Sequence, residues 1–177
     1  MARNLEELFD YLDRLDGRAP LHELTAELAD LEIELEDVAA HARFSTRAYC
    51  RNLVRGGRWY NVLVLCWHSG QRSPIHDHKG SSCAVRVLEG TMTETLFDFA
   101  PTGQVRANFS REVGPGEVVG SEDADVHQVS NLQSGKADLV TLHVYTPPLM
   151  VMGTYSLTDD KRGEEPMFLE FCDAAGI

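Results

Sequence analysis

NVLVLCWHSGQRSPIHDHKGSSCAVRVLEG, residues 61–90, reads as two strand-sized apolar runs on either side of a turn that carries two histidines. The runs are rich in Val and Leu, and Gly, Ser and Pro separate them. The same texture extends in both directions. Upstream stands TRAYCRNLV; downstream follow TMTETLFDF, EVVG, VHQVSN, DLVTLHVY and MVMGTYS. Gly56-Gly57, Glu89-Gly90, Pro101-Thr102-Gly103 and Gly114-Pro115-Gly116 supply the turns between them. Many short strands with regular turns predict a mainly β protein, a sandwich or small barrel with helices at one end.

The helices belong to the first forty-odd residues. Asn4 suits an N-cap with Glu7 three positions on, and Leu5, Leu8, Phe9 and Leu12 form an apolar stripe. Pro20 opens a second helix with Leu21, Leu24 and Leu28 on one side. Ile33, Leu35, Val38 and Ala39 suggest a third, running to about Arg43. With 177 residues, a single domain over 1–177 is expected: helices over 1–44 packed on a barrel, then the barrel and a C-terminal tail over 45–177.

Composition narrows the partners. Net charge is −12, which disfavours nucleic acid and anionic membrane and favours small molecules. No apolar run reaches membrane-spanning length, and MARNLEELFDYLDRLD lacks the basic and apolar regions of a signal peptide, so a cytoplasmic protein is expected. Cys50, Cys66, Cys83 and Cys172 include no close-spaced pair, so neither a zinc knuckle nor a disulfide framework is indicated.

The chemistry-bearing pattern is histidine. On a strand, His76 and His78 project from one face and both reach one point inside a barrel. His127, about fifty residues later, offers a third imidazole from a separate strand. Gly70 lies six residues before His76, Gly90 follows the pair, and His127 is followed by Asn131. This arrangement resembles the two-part motif of the cupin superfamily, G-x5-H-x-H-x(3,4)-E-x6-G and then H-x3-N, and implies a cupin-type β-barrel or jelly roll. It departs at one position, where Cys83 stands in place of the usual glutamate ligand. Three neutral ligands would leave the metal charge available to an anionic substrate such as a thiolate.

Four segments in order resemble the cysteine dioxygenase family between about Tyr49 and Pro148: YCRNLV, the HDH run with its displaced Cys, VHQVSN and LHVYTPP. The resemblance implies Fe(II), one per chain, held by His76, His78 and His127, with a small-molecule thiol and O2 as the reactants. Residue by residue, it implies that Arg51 pairs with the substrate carboxylate and that Tyr49 lines the pocket. It implies a thioether crosslink between Cys83 and Tyr145, and a Thr141-His143-Tyr145 relay with threonine in place of the family's serine. Thr146-Pro147 resembles a Ser-Pro bond that is cis in the family. The expected activity is oxidation of free L-cysteine to cysteine sulfinic acid by a monomer. Two alternatives stand beside it. A 3-mercaptopropionate dioxygenase would usually have glutamine at the Arg51 position and no crosslinking cysteine. A non-catalytic, small-ligand-binding cupin would leave Arg51, Cys83 and Tyr145 without a shared purpose. His22, His41 and His68 fall outside the motifs.

Overall fold

A computed structural model describes residues 4–123 and 125–167. The N-terminus forms as the apolar stripe predicts. Helix α1 (Leu5–Asp13) starts at a capping box: Glu7 N–H donates to the Asn4 side chain, and Asn4 N–H donates to Glu7 Oε2. Leu8, Phe9 and Leu12 are buried. Helix α2 (Leu21–Ala29) begins directly after Pro20 and buries Leu24 and Leu28. The third helix is shorter than expected, a 3-10 turn over Leu35–His41 with Val38 buried. Leu31, Ile33 and Leu35 alternate with Glu32, Glu34 and Glu36, a period-two pattern that keeps the approach extended; Ile33 is buried ahead of the turn and Ala39 is exposed.

Among the described residues eleven strands follow: β1 (Cys50–Gly56), β2 (Asn61–Trp67), β3 (Ile75–His76), β4 (Ser82–Glu89), β5 (Met92–Phe99), β6 (Val105–Val113), β7 (Val118–Glu122), β8 (His127–Ser130), β9 (Leu139–Thr146), β10 (Val151–Tyr155) and β11 (Arg162–Pro166). They form two antiparallel sheets, ordered β1-β2-β9-β4-β7 and β11-β10-β3-β8-β5-β6.

The five-stranded sheet is covered on both sides, which explains why NVLVLCW and LVTLHVYT read as near-continuous apolar runs. Val62, Val64, Cys66, Val140, Leu142 and Val144 share one core with Leu8, Leu12, Leu24 and Leu28 of the helices. The alternate residues Leu63, Leu65, Trp67, Leu139 and Tyr145 face the second sheet. Burying each such aliphatic side chain contributes about 1.5–3 kcal/mol. One consequence of the period is functional. With Val140, Leu142 and Val144 turned to the helices, Thr141, His143 and Tyr145 all turn inward between the sheets. Among the described residues, no helix is long and apolar enough to cross a membrane.

Candidate metal centre and adjoining cavity

His76, His78 and His127 come together between the sheets, with one nitrogen of each within 4.8 Å of the others. His76 ends β3 and lies opposite His127 of β8 in register. The strand expected to carry both HDH histidines stops at His76, yet His78 still reaches the same point. Asp77 holds the turn in this shape. Its carboxylate accepts from Gly153 N–H at 2.9 Å and from the Tyr155 hydroxyl at 2.6 Å. A Cβ on Gly153 would lie 2.5 Å from Asp77 Oδ2, so glycine is required for this close approach.

Each ring is held from behind through Nδ1. His76 Nδ1 lies 3.0 Å from the Pro74 carbonyl, His78 Nδ1 3.2 Å from Ser121 Oγ, and His127 Nδ1 2.9 Å from Glu94 Oε1. The Nε2 atoms are thereby left to point inward. His127 Nε2 is buried and has no hydrogen-bond partner among the described residues. An orphaned buried lone pair facing two other imidazoles fits a metal ion, and three nitrogen donors suit a transition metal. Burial favours the neutral imidazoles needed for coordination: it pushes His76 down to about 3, with His127 nearby adding to the effect, and lowers His78 in the same direction. The Glu94 carboxyl is pushed up by burial, but its bonds to His127 and Arg111 outweigh this and hold it below the usual range.

Beside the histidines lies a small cavity lined among others by Tyr49, Arg51, Trp67, Cys83, His143 and Tyr145. Arg51 of β1 is only 6% exposed. Its Nε has no partner among the described residues, and its guanidinium lies 5.4 Å from the centre of the Tyr145 ring. Tyr49 stacks on Trp67 at 4.1 Å. Cys83 of β4 sits directly opposite Tyr145 of β9. Burial pushes the Cys83 thiol up to about 12, against the opposing pull of its bond to Tyr145, and pushes the Tyr145 hydroxyl above the usual phenol range. Along β9, Thr141 Oγ1 lies 2.9 Å from His143 Nε2, and His143 Nδ1 lies 3.3 Å from the Tyr145 hydroxyl. Thr146-Pro147 is cis.

This constellation coincides with a family. Residues 13–158 match the model of cysteine dioxygenase type I. The chain belongs to the cysteine dioxygenase type I family. Relatives named cysteine dioxygenase type 1 include the rat protein, 32% identical over 152 residues, covering 84% of this chain and 73% of the relative. The human protein is 31% identical, covering 82% and 76% respectively. Solved structures with the same fold include a double-stranded β-helix protein from Klebsiella pneumoniae (TM-score 0.53, 19% identity, covering 62% of this chain and 81% of that one). Another is a cupin-superfamily sugar phosphate isomerase from Silicibacter pomeroyi (TM-score 0.52, 17% identity, covering 68% and 72%). The cupin architecture expected from the histidine motif is therefore the one this cysteine dioxygenase family member adopts.

Several residues around the site had no role in the sequence motifs. Glu94 is the clearest: strand alternation puts it on the inward face of β5 with Met92, and a charged residue at a core-facing position was the available signal. Trp67 Nε1–H donates to Thr141 Oγ1 at 3.1 Å, which a lone Trp in LCWH does not reveal. Asn131 of the H-x3-N pattern stays outside the cavity. Its amide donates to the Trp67 and Ala137 carbonyls and joins the loops that follow β2 and β8. His68 pairs with Asp138 at 2.7 Å, His22 is exposed and His41 lies on the 3-10 turn, none of them lining the cavity. Cys50 and Cys66 are buried in the core between the five-stranded sheet and the helices, and Cys172 lies outside the described residues.

Proposed function

We propose that this chain is a non-haem iron(II)-dependent dioxygenase that adds both atoms of O2 to the sulfur of L-cysteine, forming cysteine sulfinic acid. The observation that carries the reading is a buried guanidinium with an unpartnered nitrogen, sharing one cavity with three converging imidazoles. A small substrate bearing both a thiol and a carboxylate matches the two halves. His76, His78 and His127 would hold the ferrous ion, one per chain, which when bound supplies open coordination positions for the thiolate and oxygen. Arg51 receives the carboxylate through two parallel N–H donors and fixes the orientation of the substrate.

The polar run along β9 supports a directed role for Tyr145. Indole N–H only donates, so the Thr141 hydroxyl accepts from Trp67 and passes its own proton toward His143 Nε2. His143 then carries its proton on Nδ1 and donates to the Tyr145 oxygen. The Tyr145 O–H thereby donates on the cavity side, where Cys83 lies opposite it, and burial keeps its proton bound. Cys83, adjacent in register and held as a neutral thiol, supports the reading of a Cys83–Tyr145 thioether. The helices and the five-stranded sheet share one core, in keeping with one domain.

The test is oxygen uptake by iron(II)-loaded protein with L-cysteine and 3-mercaptopropionate in parallel, with sulfinate quantified. Preferred use of L-cysteine, with one O2 consumed per sulfinate, is expected. Preference for 3-mercaptopropionate overturns the substrate assignment. No uptake with either thiol overturns the dioxygenase reading and leaves a ligand-binding cupin.

A further inference from the structure

Glu94 is an expensive residue to bury, at 1% exposure on the inward face of β5. Both of its oxygens are committed. Oε1 lies 2.9 Å from His127 Nδ1, while Oε2 accepts from Arg111 Nε at 2.7 Å and lies 2.6 Å from Arg111 Nη2. Arg111 stands directly opposite Glu94 in the β5–β6 register, with its side chain 39% exposed. The carboxylate is therefore clamped at its outer oxygen and aimed inward with the other.

The three histidines are not equivalent in this respect. His76 is backed by a carbonyl and His78 by a hydroxyl, both neutral; His127 alone is backed by a carboxylate. A carboxylate accepting from Nδ1–H fixes the tautomer, leaves the Nε2 lone pair free and makes the ring a stronger donor. The buried, unpartnered Nε2 of His127 is the result expected of that arrangement. The position where the cupin pattern has a glutamate ligand holds Cys83, so the imidazoles by themselves give a bound cation no negative charge.

Resting on the reading of His76, His78 and His127 as metal ligands, we propose that Glu94, anchored by Arg111, is a positioning residue for His127. It supplies through the His127 ring the anionic character that the ligand set lacks.

Competition of the purified, full-length, metal-free protein against a chelator for Co(II) alone tests this without reference to turnover. The wild type should bind one Co(II) per chain. Glu94→Gln cannot accept at both ends and carries no charge, so it should bind about 10–100-fold more weakly. Ser121→Ala removes the neutral partner of His78 and should lose distinctly less. Equal affinity of Glu94→Gln and wild type overturns the inference, and so does a Ser121→Ala loss as large as that of Glu94→Gln. Failure of the wild type to bind Co(II) at all overturns the three-histidine reading beneath it, a separate and recognisable result. Melting of the metal-free variants reports their folding. Should Glu94→Gln not fold, Arg111→Gln keeps the carboxylate but frees it from its clamp, and several-fold weaker binding is expected. Unchanged affinity in that variant overturns the anchoring.

Discussion

Replacing Arg51 with Gln should make the metal-free protein more stable and the enzyme much worse. The two effects share one cause. Arg51 is buried at 6% exposure and its Nε has no partner among the described residues, so the cavity wall holds a buried donor without a hydrogen bond. An unsatisfied buried donor costs about 1–3 kcal/mol, and a neutral amide recovers only part of that, so a gain of about 1 kcal/mol is expected. In a chain of this size that corresponds to a rise of about 2–4 °C in Tm. For a substrate carboxylate the sign reverses. Two charge-assisted bonds of about 1.5–3 kcal/mol each give way to one neutral bond of about 1 kcal/mol, a net loss of about 2–5 kcal/mol. That is a fall in kcat/KM of about 30- to 5000-fold. The assay compares L-cysteine with cysteamine, which keeps the thiol and amine but has no carboxylate, alongside melting of the metal-free protein. The loss should be confined to L-cysteine. An equal loss on both thiols would mean that Arg51 acts through the Tyr145 ring it covers and not on substrate. A fall in Tm with unchanged kinetics would exclude both the burial cost of Arg51 and its contact with the substrate carboxylate.

Other expectations follow from single contacts. Thr141→Val leaves Trp67 Nε1–H and His143 Nε2 buried without their shared hydroxyl and should cost about 2–5 kcal/mol in denaturant unfolding, with Thr141→Ser recovering most of it. Turnover with iron and oxygen should give a species lighter by two hydrogen atoms, with Cys83 and Tyr145 in one linked peptide; Cys83→Ala should abolish it, and an unchanged mass after prolonged turnover would exclude the thioether. Burial and the bond to Asp77 push the Tyr155 hydroxyl from the ordinary phenol value of about 10 up to about 12. Because the folded value is raised, its contribution is complete below pH 10 and disappears as pH climbs through about 12. Unfolding followed across that range should be less steeply pH-dependent in Tyr155→Phe than in wild type, and an identical slope would show that another group dominates.

The sequence by itself determined the local and periodic features. Strand-length apolar runs, the glycine spacing around H-x-H, and the alternation of Thr141, His143 and Tyr145 each depend on neighbours within one segment. So do the Asn4–Glu7 cap and the stripe of α1. Distant partnerships were decided only by the tertiary structure. The HDH turn keeps its shape because Asp77 meets Gly153 and Tyr155 from a strand 76 and 78 residues further along the chain. Cys83 meets Tyr145 because β4 pairs with β9 in one particular register, and a slip of one residue would turn the thiol toward the helices. Alternation in TMTETLF puts Glu94 on the Met92 face, but only β8 places His127 beside it and only β6 supplies Arg111. The third apolar set, Ile33 to Ala39, fails as a long helix for a reason present in the sequence but overshadowed there. Its Leu31–Ile33–Leu35 alternation lets an extended segment bury Leu31 and Ile33 while the intervening glutamates stay in water. Spacing along a chain shows which side chains share a face; sheet register decides which faces meet, and the chemistry of this cavity depends on that meeting.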